Sequence, residues 1–269
     1  MPIVFDGKKE RDNLLKELKV DIAKREIKPV LAAVLVGDDP VSKSYVELKK
    51  RFGEQVGIEV SVFEYKKDTS KDEILSLIMR LNKDPEINGV MIQIPLPDHL
   101  NRDKMIEAIK PGKDVDGLRY CLGLDSEFIP PVILGIERAI DHSGINLANS
   151  KVTVVGQGFL VGKPLVRYLN GMVGVLYAAD SQTTNLSKLT KMSDLVISGV
   201  GKAGLIDSSM IKDGAVLIDA GTSESNGEMR GDIESGAYSK AKFVTPVPGG
   251  IGPVTVAFLL SNVLKSYSL

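Results

Sequence analysis

The first apolar pattern in the chain has helical spacing, and the next is a continuous run. Between positions 8 and 24, leucine and isoleucine recur every three or four residues among charged side chains, which predicts an amphipathic surface helix. The run 29–37, PVLAAVLVG, is almost wholly apolar. Such a run is typical of a strand that is buried on both faces of a parallel sheet.

The same alternation of strand and helix patterns continues through the first third of the chain. In order, the patterns are strand 29–37, helix 42–57, strand 58–65, helix 71–84 and strand 88–95. We expect Ser42 or Ser44 to cap the first of these helices, which should end near Gly53 or Gly57. The order β-α-β-α-β predicts parallel strands with helices on both faces.

The stretch 152–164, VTVVGQGFLVGKP, reads as a buried strand, a glycine turn and a helix start. Gly156, Gly158 and Gly162 would let the backbone approach a pyrophosphate at the helix N-terminus. Their spacing is GxGxxxG, one residue longer than the usual dinucleotide fingerprint, with Val161 at the expected third glycine. Taken alone, the spacing also fits a glycine turn that binds nothing.

Further apolar runs and helical patterns follow this turn, so the second half should be Rossmann-like. We predict an α/β protein of two three-layer domains, the second a Rossmann-like nucleotide-binding domain. A closing apolar helix over 253–267 should return to the first domain. The expected bounds are 1–135 plus 248–269 for the first domain and 136–247 for the second.

Composition narrows the possible functions. The chain has 269 residues, 43% of them hydrophobic and 26% charged, with a formal net charge of −1. These values are typical of a globular protein and give no support for nucleic-acid binding by bulk charge. The single cysteine, Cys121, excludes an intrachain disulfide and fits a reducing cytoplasm. We expect no signal peptide and no membrane span, and no metal site, because His99 and His142 lack nearby partner ligands.

Four side chains should converge at the carboxyl ends of the first-domain strands, where open parallel sheets bind ligands. Tyr45 and Lys49 are four residues apart and share a helix face, Gln93 follows an apolar strand, and Asp116 lies in a later turn. Burial in a cleft would lower the lysine pKa enough for acid–base chemistry. Each residue also has a structural explanation: a surface Tyr–Lys pair, a polar strand end, or a turn former, as for Asp114.

The chain resembles the bifunctional methylenetetrahydrofolate dehydrogenase/cyclohydrolases. Five strings occur in that family's order and span nearly the whole chain: VGDDPVSKSYVELKK, GVMIQIPLPDHL, KDVDG, VVGQGFLVGKP and TPVPGGIGPVTVAFLL. The last string, and the pairing of QIPLP with KDVDG, are specific to the family. The resemblance implies oxidation of 5,10-methylenetetrahydrofolate to the methenyl cation, and hydrolysis of that cation to 10-formyltetrahydrofolate, within one-carbon metabolism and purine biosynthesis.

The resemblance also implies a role for each candidate residue. Lys49 would be the central acid–base group of the cyclohydrolase step, with Gln93 orienting it and tuning its protonation. Tyr45 would hold and stack the folate, and Asp116 would hydrogen-bond the pterin. A terminal loop would shape the folate side of the site through Pro248, Gly249 and Gly250. The implied nucleotide contacts are Gly156, Gln157, Gly158, Ser181 and Thr222.

The cofactor implied by the family is NADP, but local residues leave NAD open. The family commonly reads VVGRSxxVGxP and His-Ser-Arg/Lys-Thr, whereas this chain has Gln157 and Gln182 at the two cationic positions. Asp180 lies near the end of the second Rossmann strand, where an acid usually binds a free ribose diol. Ser181 and the two glutamines could still bind a 2′-phosphate through neutral hydrogen bonds.

Other interpretations stay open at this point. The usual PCTPxG string is PPVILG in this chain, and the segment after KDVDG is shorter than in the family, which leaves room for a cyclohydrolase with weakened hydride transfer. The chain could also be a nicotinamide-dependent dehydrogenase of another small substrate with Lys49 as base, or a catalytically silent nucleotide-binding module. The resemblance further implies a homodimer formed through the Rossmann domain.

Overall fold

The computed structural model describes residues 1–225 and 228–268, which divide into two compact units. We name them by their main sheets. The three-stranded unit comprises Arg11–Pro131 with Val256–Leu269, and the six-stranded unit comprises Met1–Glu10 with Val132–Thr255. The first ten residues therefore group with the second half of the chain, and two of the three unit boundaries fall inside the first and last long helices.

Helices and strands alternate along both halves of the chain. The first half contains β1 (Ile3–Val4), α1 (Gly7–Arg25), β2 (Val30–Val36), α2 (Pro40–Val56), β3 (Glu59–Tyr65), α3 (Lys71–Lys83), β4 (Gly89–Ile92), α4 (Arg102–Glu107) and α5 (Leu118–Leu122). The second half contains α6 (Pro131–Ser143), β5 (Lys151–Val155), α7 (Gly162–Leu169), β6 (Val175–Ala179), α8 (Leu186–Met192), β7 (Leu195–Ser198), β8 (Ala215–Asp219), β9 (Ser223–Ser225), β10 (Glu228–Arg230), β11 (Ala241–Val244) and α9 (Ile251–Ser266). None of the helices in the described ranges combines the length and hydropathy that a bilayer span requires.

The three-stranded sheet has the order β3-β2-β4, and all its strands are parallel. The central strand β2 is buried on both faces, as its apolar run predicts. Leu31 and Ala33 pack with α1, α2 and α9, whereas Ala32 and Val34 pack with α3 and α4 on the opposite face. The predicted three layers and the return of the C-terminal helix to this core are both confirmed.

The helix that carries the candidate lysine begins differently from the prediction. Asp39, not Ser42 or Ser44, is the cap of α2, and its carboxylate accepts a hydrogen bond from the Ser42 amide at 2.7 Å. Pro40 occupies the first helical turn, where its missing amide costs nothing. The Ser44 hydroxyl instead donates back to the Pro40 carbonyl at 2.9 Å. The helix ends as expected, at Gly57, which has a left-handed φ of 94°.

The six-stranded sheet has the order β1-β11-β8-β7-β5-β6, and every pairing in it is parallel. The first strand of the half, β5, lies between β6 and β7. The direction of strand addition therefore reverses between β5 and β7, and the crevice at their carboxyl ends is where such sheets bind ligands. The Rossmann-like prediction is confirmed, but β1 was not predicted, because two exposed residues that pair with β11 leave no periodic signal.

Candidate active site

Lys49 and Gln93 meet at the carboxyl edge of the three-stranded sheet. Lys49 lies on α2, which follows β2, and Gln93 is the first residue after β4. The backbone N–H of Gln93 continues the hydrogen-bond ladder between β4 and β2 by donating to the Val34 carbonyl at 2.9 Å. Because β2 and β4 are neighbours, their ends are adjacent, and the Lys49 Nζ donates to the Gln93 Oε1 at 2.8 Å.

The Gln93 side chain is held in one orientation. It is 9% exposed, and its Nε2 donates to the Ile94 carbonyl at 3.1 Å. Because this hydrogen bond places the side-chain nitrogen of Gln93 toward the Ile94 carbonyl, the side-chain oxygen points toward Lys49. An amide oxygen can accept from either a neutral amine or an ammonium group. Gln93 can therefore hold Lys49 in both of its protonation states.

Lys49 and Asp116 influence each other's ionisation. Burial lowers the pKa of the Lys49 amine, and the negative charge of Asp116 partly opposes that change. Burial raises the pKa of the Asp116 carboxyl, and the positive charge of Lys49 opposes it. Desolvation disfavours a charge on either group, so a proton can enter and leave this pair nearer neutral pH than it could on isolated side chains.

The turn that carries Asp116 is stabilised by the buried carboxylate of Asp114. Asp114 accepts hydrogen bonds from the Leu118 amide at 3.2 Å and the Arg119 amide at 2.7 Å, at the start of α5. Burial, with a smaller contribution from the Asp116 charge, raises the pKa of Asp114 to about 7. Asp114 thus has the turn-forming role considered for it, and Asp116 is left to face Lys49.

The C-terminal helix holds the same turn from its other side. Asn262 on α9 donates from Nδ2 to the Val115 carbonyl at 2.8 Å and to the Ile129 carbonyl at 3.1 Å. Gly117 has a φ of 66°, and a Cβ there would lie 2.7 Å from the Pro130 nitrogen. The role of Asn262 was not predicted, because nothing in an apolar helix pattern indicates which distant carbonyls an asparagine will bind.

Tyr45 lies one helical turn before Lys49 on α2 and is 45% exposed. An exposed aromatic ring next to a buried amine leaves apolar surface open to a flat ligand. The four first-domain candidates therefore belong to one unit, with Lys49, Gln93 and Asp116 interacting and Tyr45 beside them at the surface.

The glycine turn after β5 is tightly packed at two of its three glycines. Gly156 has a φ of 91°, and a Cβ there would lie 2.8 Å from the Val200 Cγ2 and 3.1 Å from the Gly199 oxygen. A Cβ on Gly162 would overlap the Gly156 carbonyl oxygen. At Gly158, by contrast, the nearest atom would be 4.0 Å away, so the protein's own packing does not require glycine there. An open backbone at this point fits close approach by a ligand.

The remaining nucleotide candidates surround this turn. The Gln157 Nε2 donates to the Gly156 carbonyl at 2.8 Å, so the side chain folds back on its own turn. Ser181 is exposed in the turn after β6, and Thr222 is exposed just after β8. A Cβ on Gly201 would lie 3.3 Å from the Thr222 carbonyl oxygen. These residues all lie at the carboxyl ends of the six-stranded sheet.

Asp180 organises the turn that follows β6. Its Oδ1 accepts hydrogen bonds from the Gln182 amide at 2.9 Å and the Thr183 hydroxyl at 3.1 Å. The carboxylate is exposed, so its second oxygen can accept from another donor. Asp180 therefore has both a local structural role and spare acceptor capacity.

The predicted terminal loop packs within the six-stranded unit. The Gly250 amide donates to the Pro246 carbonyl at 2.7 Å, and the Gly249 carbonyl accepts from the Gly7 amide at 2.9 Å. A Cβ on Gly7 would overlap the Gly250 carbonyl oxygen, which explains the glycine at the start of α1. Pro248 is exposed at the tip of the loop.

A parallel sheet with a packed glycine turn in one unit, and a partly buried lysine–amide–carboxylate set in the other, define a nucleotide-dependent enzyme of two α/β domains. The chain belongs to the tetrahydrofolate dehydrogenase/cyclohydrolase family. Residues 5–116 match the catalytic domain of that family, and residues 130–269 match its NAD(P)-binding domain.

Curated and solved relatives agree with this assignment over nearly the full chain. The bifunctional protein FolD of Bacillus subtilis is 39% identical over 275 residues, covering 98% of this chain and 96% of the relative. The crystal structure of the bifunctional enzyme FolD from Campylobacter jejuni matches with a TM-score of 0.94 and 33% identity, covering 100% of this chain and 99% of that one. The Trypanosoma brucei enzyme, complexed with NADP cofactor and inhibitor, matches with a TM-score of 0.92 and 28% identity, covering 99% and 97%.

Residues 117–129 lie between the two matched ranges. The Arg119 side chain holds this segment in place through hydrogen bonds. Its Nη1 donates to the Glu107 carbonyl at 2.8 Å and the Ile109 carbonyl at 3.1 Å, and its Nε donates to the Asp125 carbonyl at 2.9 Å. Residues 117–129 are therefore a folded part of the three-stranded unit.

Proposed function

We propose that this protein oxidises 5,10-methylenetetrahydrofolate to 5,10-methenyltetrahydrofolate with NADP and hydrolyses the product to 10-formyltetrahydrofolate. Family membership supports both activities. The observation that carries the proposal is the hydrogen bond from Lys49 to Gln93, together with the opposed electrostatic effects of burial and Asp116 on the lysine. Together they give an oriented amine that can exchange a proton with water or a bound substrate.

Lys49 is the acid–base group of the hydrolytic step. As water adds to the electrophilic methenyl carbon, the neutral amine accepts one proton from that water. The resulting ammonium group then donates a proton to N5 as the bond between N5 and the former methenyl carbon breaks. The carbinol hydroxyl loses its proton to solvent, which leaves the formyl group on N10. Burial supports this cycle because it lowers the pKa of the amine.

The neighbouring residues fix the lysine and the substrate. Gln93 orients the amine through its Oε1, and the 2.8 Å contact restricts the amine to one direction. Asp116 accepts hydrogen bonds from the pterin, and Tyr45 stacks against it.

The nucleotide binds at the glycine turn after β5. A nicotinamide cofactor held there would supply the hydride acceptor for oxidation of the methylene carbon. Gly156 and Gly162 keep the turn in its packed form, and Gly158 leaves backbone open for the pyrophosphate. Gln157, Ser181 and Thr222 complete the contacts, the first two near the ribose that carries the 2′-phosphate.

NAD is a second candidate cofactor, favoured by one observation. The exposed Asp180 carboxylate is at the end of β6, where an acid binds the two hydroxyls of an unmodified ribose and repels a 2′-phosphate. NADP remains first because the family usually uses it and because Ser181 and Gln182 offer neutral donors.

Replacing Asp180 with arginine should shift the ratio of kcat/KM values toward NADP by about 10-fold or more, since a repelling charge becomes an attracting one. Steady-state rates with both nucleotides measure the ratio. Asp213→Arg is a matched control, because Asp213 lies in the same unit on the loop before β8, away from the glycine turn. An unchanged ratio in Asp180→Arg would mean that Asp180 does not face the ribose.

We also propose roles for the units and an assembly state. The three-stranded unit binds the folate, and the six-stranded unit binds the nucleotide. The protein acts in the cytoplasm, in one-carbon metabolism that supplies purine biosynthesis. It forms a homodimer through the six-stranded unit, whose outer strand β6 exposes Val175. Sedimentation equilibrium tests this assembly.

The function is tested by incubating purified protein with 5,10-methylenetetrahydrofolate and either NADP or NAD, followed by acid quench to detect the methenyl product. We expect turnover with NADP, and accelerated hydrolysis of added methenyltetrahydrofolate without any nucleotide. Hydrolysis without hydride transfer would indicate a cyclohydrolase alone. Absence of both activities, with no binding of reduced folates, would refute the proposal and favour a dehydrogenase of another substrate.

A further inference from the structure

Asp232 is fully buried, and its carboxylate accepts hydrogen bonds from one short loop. Its Oδ2 accepts from the Ser198 hydroxyl at 2.6 Å and the Val200 amide at 2.7 Å, and its Oδ1 accepts from the Lys202 amide at 2.7 Å. All three donors are uncharged. A buried carboxyl group that accepts three such bonds holds its donors in one geometry, because releasing any of them would leave buried polar atoms without a hydrogen-bond partner.

The loop that Asp232 holds, residues 198–202, forms one wall of the crevice at the carboxyl ends of β5 and β7. Ser198 ends β7, and Gly199 packs directly on the glycine turn. A Cβ on Gly199 would lie 2.6 Å from the Val161 Cγ1, and a Cβ on Gly156 would lie 3.1 Å from the Gly199 oxygen. With contacts this close, a displacement of loop 198–202 must also displace the turn.

Asp232 is itself fixed to the end of the neighbouring strand. Asp219, the last residue of β8, accepts from the Ile233 amide at 2.8 Å through its Oδ2. Gly221 and Gly231 pack against the two carboxyl groups, each so closely that a Cβ would overlap the facing oxygen atoms. The contacts thus run from β8 through Asp219 and Asp232 to loop 198–202.

We propose that Asp232 is a positioning residue for the nucleotide site: it fixes loop 198–202 against the glycine turn and so presets the crevice for the dinucleotide. The inference rests on the proposed function, since it assigns the residue to nucleotide use. Asp232 acts through the loop and belongs to a different unit from Lys49. It therefore serves hydride transfer and has no part in hydrolysis of the methenyl compound.

Asp232→Asn tests this separation in the full chain. One amide oxygen replaces two carboxylate oxygens, and the amide NH₂ then faces an N–H or O–H donor, so at least one of the three bonds is lost. We expect the KM for NADP, and the Kd for NADPH measured by nicotinamide fluorescence, to rise about 10-fold or more. The nucleotide-independent hydrolysis of methenyltetrahydrofolate should keep its kcat and KM.

Two further variants keep the result interpretable. Asp207→Asn is the matched control, because the Asp207 carboxylate, in the same unit, accepts a hydrogen bond from the Ser209 backbone amide at 2.6 Å. This variant should change neither activity. Ser198→Ala removes only one of the hydrogen-bond donors to Asp232. It serves as the test variant if Asp232→Asn does not fold. It should raise the KM for NADP by a smaller factor, about 3-fold or more.

Each outcome bears on the inference. A rise in nucleotide KM and Kd with unchanged hydrolysis supports it. Equal losses of both activities, or nucleotide binding as tight as in the wild type, would overturn it. If the wild type binds no NADPH, the proposed function fails, whereas normal wild-type binding with normal binding by Asp232→Asn rejects only the positioning role.

Discussion

Replacing Lys49 with methionine is expected to slow hydrolysis of methenyltetrahydrofolate by about 10²–10⁴-fold, the usual contribution of one acid–base group. Methionine keeps a flexible chain of similar length but cannot bind a proton or donate to Gln93. The expected loss is in kcat, because the amine acts on the reacting water and not on the distant parts of the folate. Absorbance of the methenyl compound at neutral pH measures the rate, and NADPH fluorescence measures the Kd, which should not change.

Lys50→Met is the control for this experiment. Lys50 is the next residue on α2 and is exposed, so its substitution removes the same charge from the same helix without touching Gln93. We expect Lys50→Met to retain wild-type hydrolysis. Full activity in Lys49→Met would refute the assignment of the acid–base group and would leave Asp116 as the titrating residue to test next.

The lysine site was predictable because its residues follow a rule of sheet topology. An apolar run marked β2 and another marked β4, and parallel neighbours bring their carboxyl ends together. With those strands adjacent, a lysine on the helix after β2 and a glutamine just past β4 had to be close. The positions of Lys49 and Gln93 relative to the predicted strands were therefore enough to predict that the two side chains meet.

The supports of the site were not predictable in the same way. Asp232 accepts hydrogen bonds from a loop 30–34 positions earlier in the chain, and Asn262 donates to carbonyl groups that are even further away in sequence. Neither residue belongs to a periodic pattern or a motif, because a buried side chain that bonds to a backbone atom can approach from any direction. The predicted cap of α2 was wrong for a related reason: Asp39 and Ser42 are both good caps, and only the position of Pro40 decides between them.

The glycine turn combines both cases. Its strand, its glycines and the helix after it were visible in the sequence, but the spacing did not match the usual fingerprint. The structure accounts for the unusual third position, since Gly162 packs directly against the Gly156 carbonyl and Val161 packs against Gly199. The longer spacing is thus consistent with a close-packed turn, and Gly162 is the glycine whose loss should matter most.

Gly162→Ala should impair nucleotide binding, because the added methyl group has no room in the glycine turn. The added Cβ would overlap the Gly156 oxygen and lie 2.7 Å from the Gly156 carbonyl carbon and 2.9 Å from the Gln157 Cα. These are backbone atoms, which cannot turn aside as a side chain can, so the turn itself must shift. Overpacking of this kind costs about 1–3 kcal/mol of stability. A shifted turn should raise the Kd for NADPH by about 10-fold or more.

The two activities again separate the effect on the site from an effect on folding. Hydrolysis of methenyltetrahydrofolate depends on Lys49 in the other unit and should survive in Gly162→Ala at temperatures below its midpoint of unfolding. Gly236→Ala is the matched control, because a Cβ there meets no atom within 4 Å and Gly236 has no positive φ. Wild-type affinity for NADPH in Gly162→Ala would show that the turn can yield without consequence. The packed glycines would then be a feature of the fold alone, and the nucleotide site would have to be sought in the loops that follow β6 and β8.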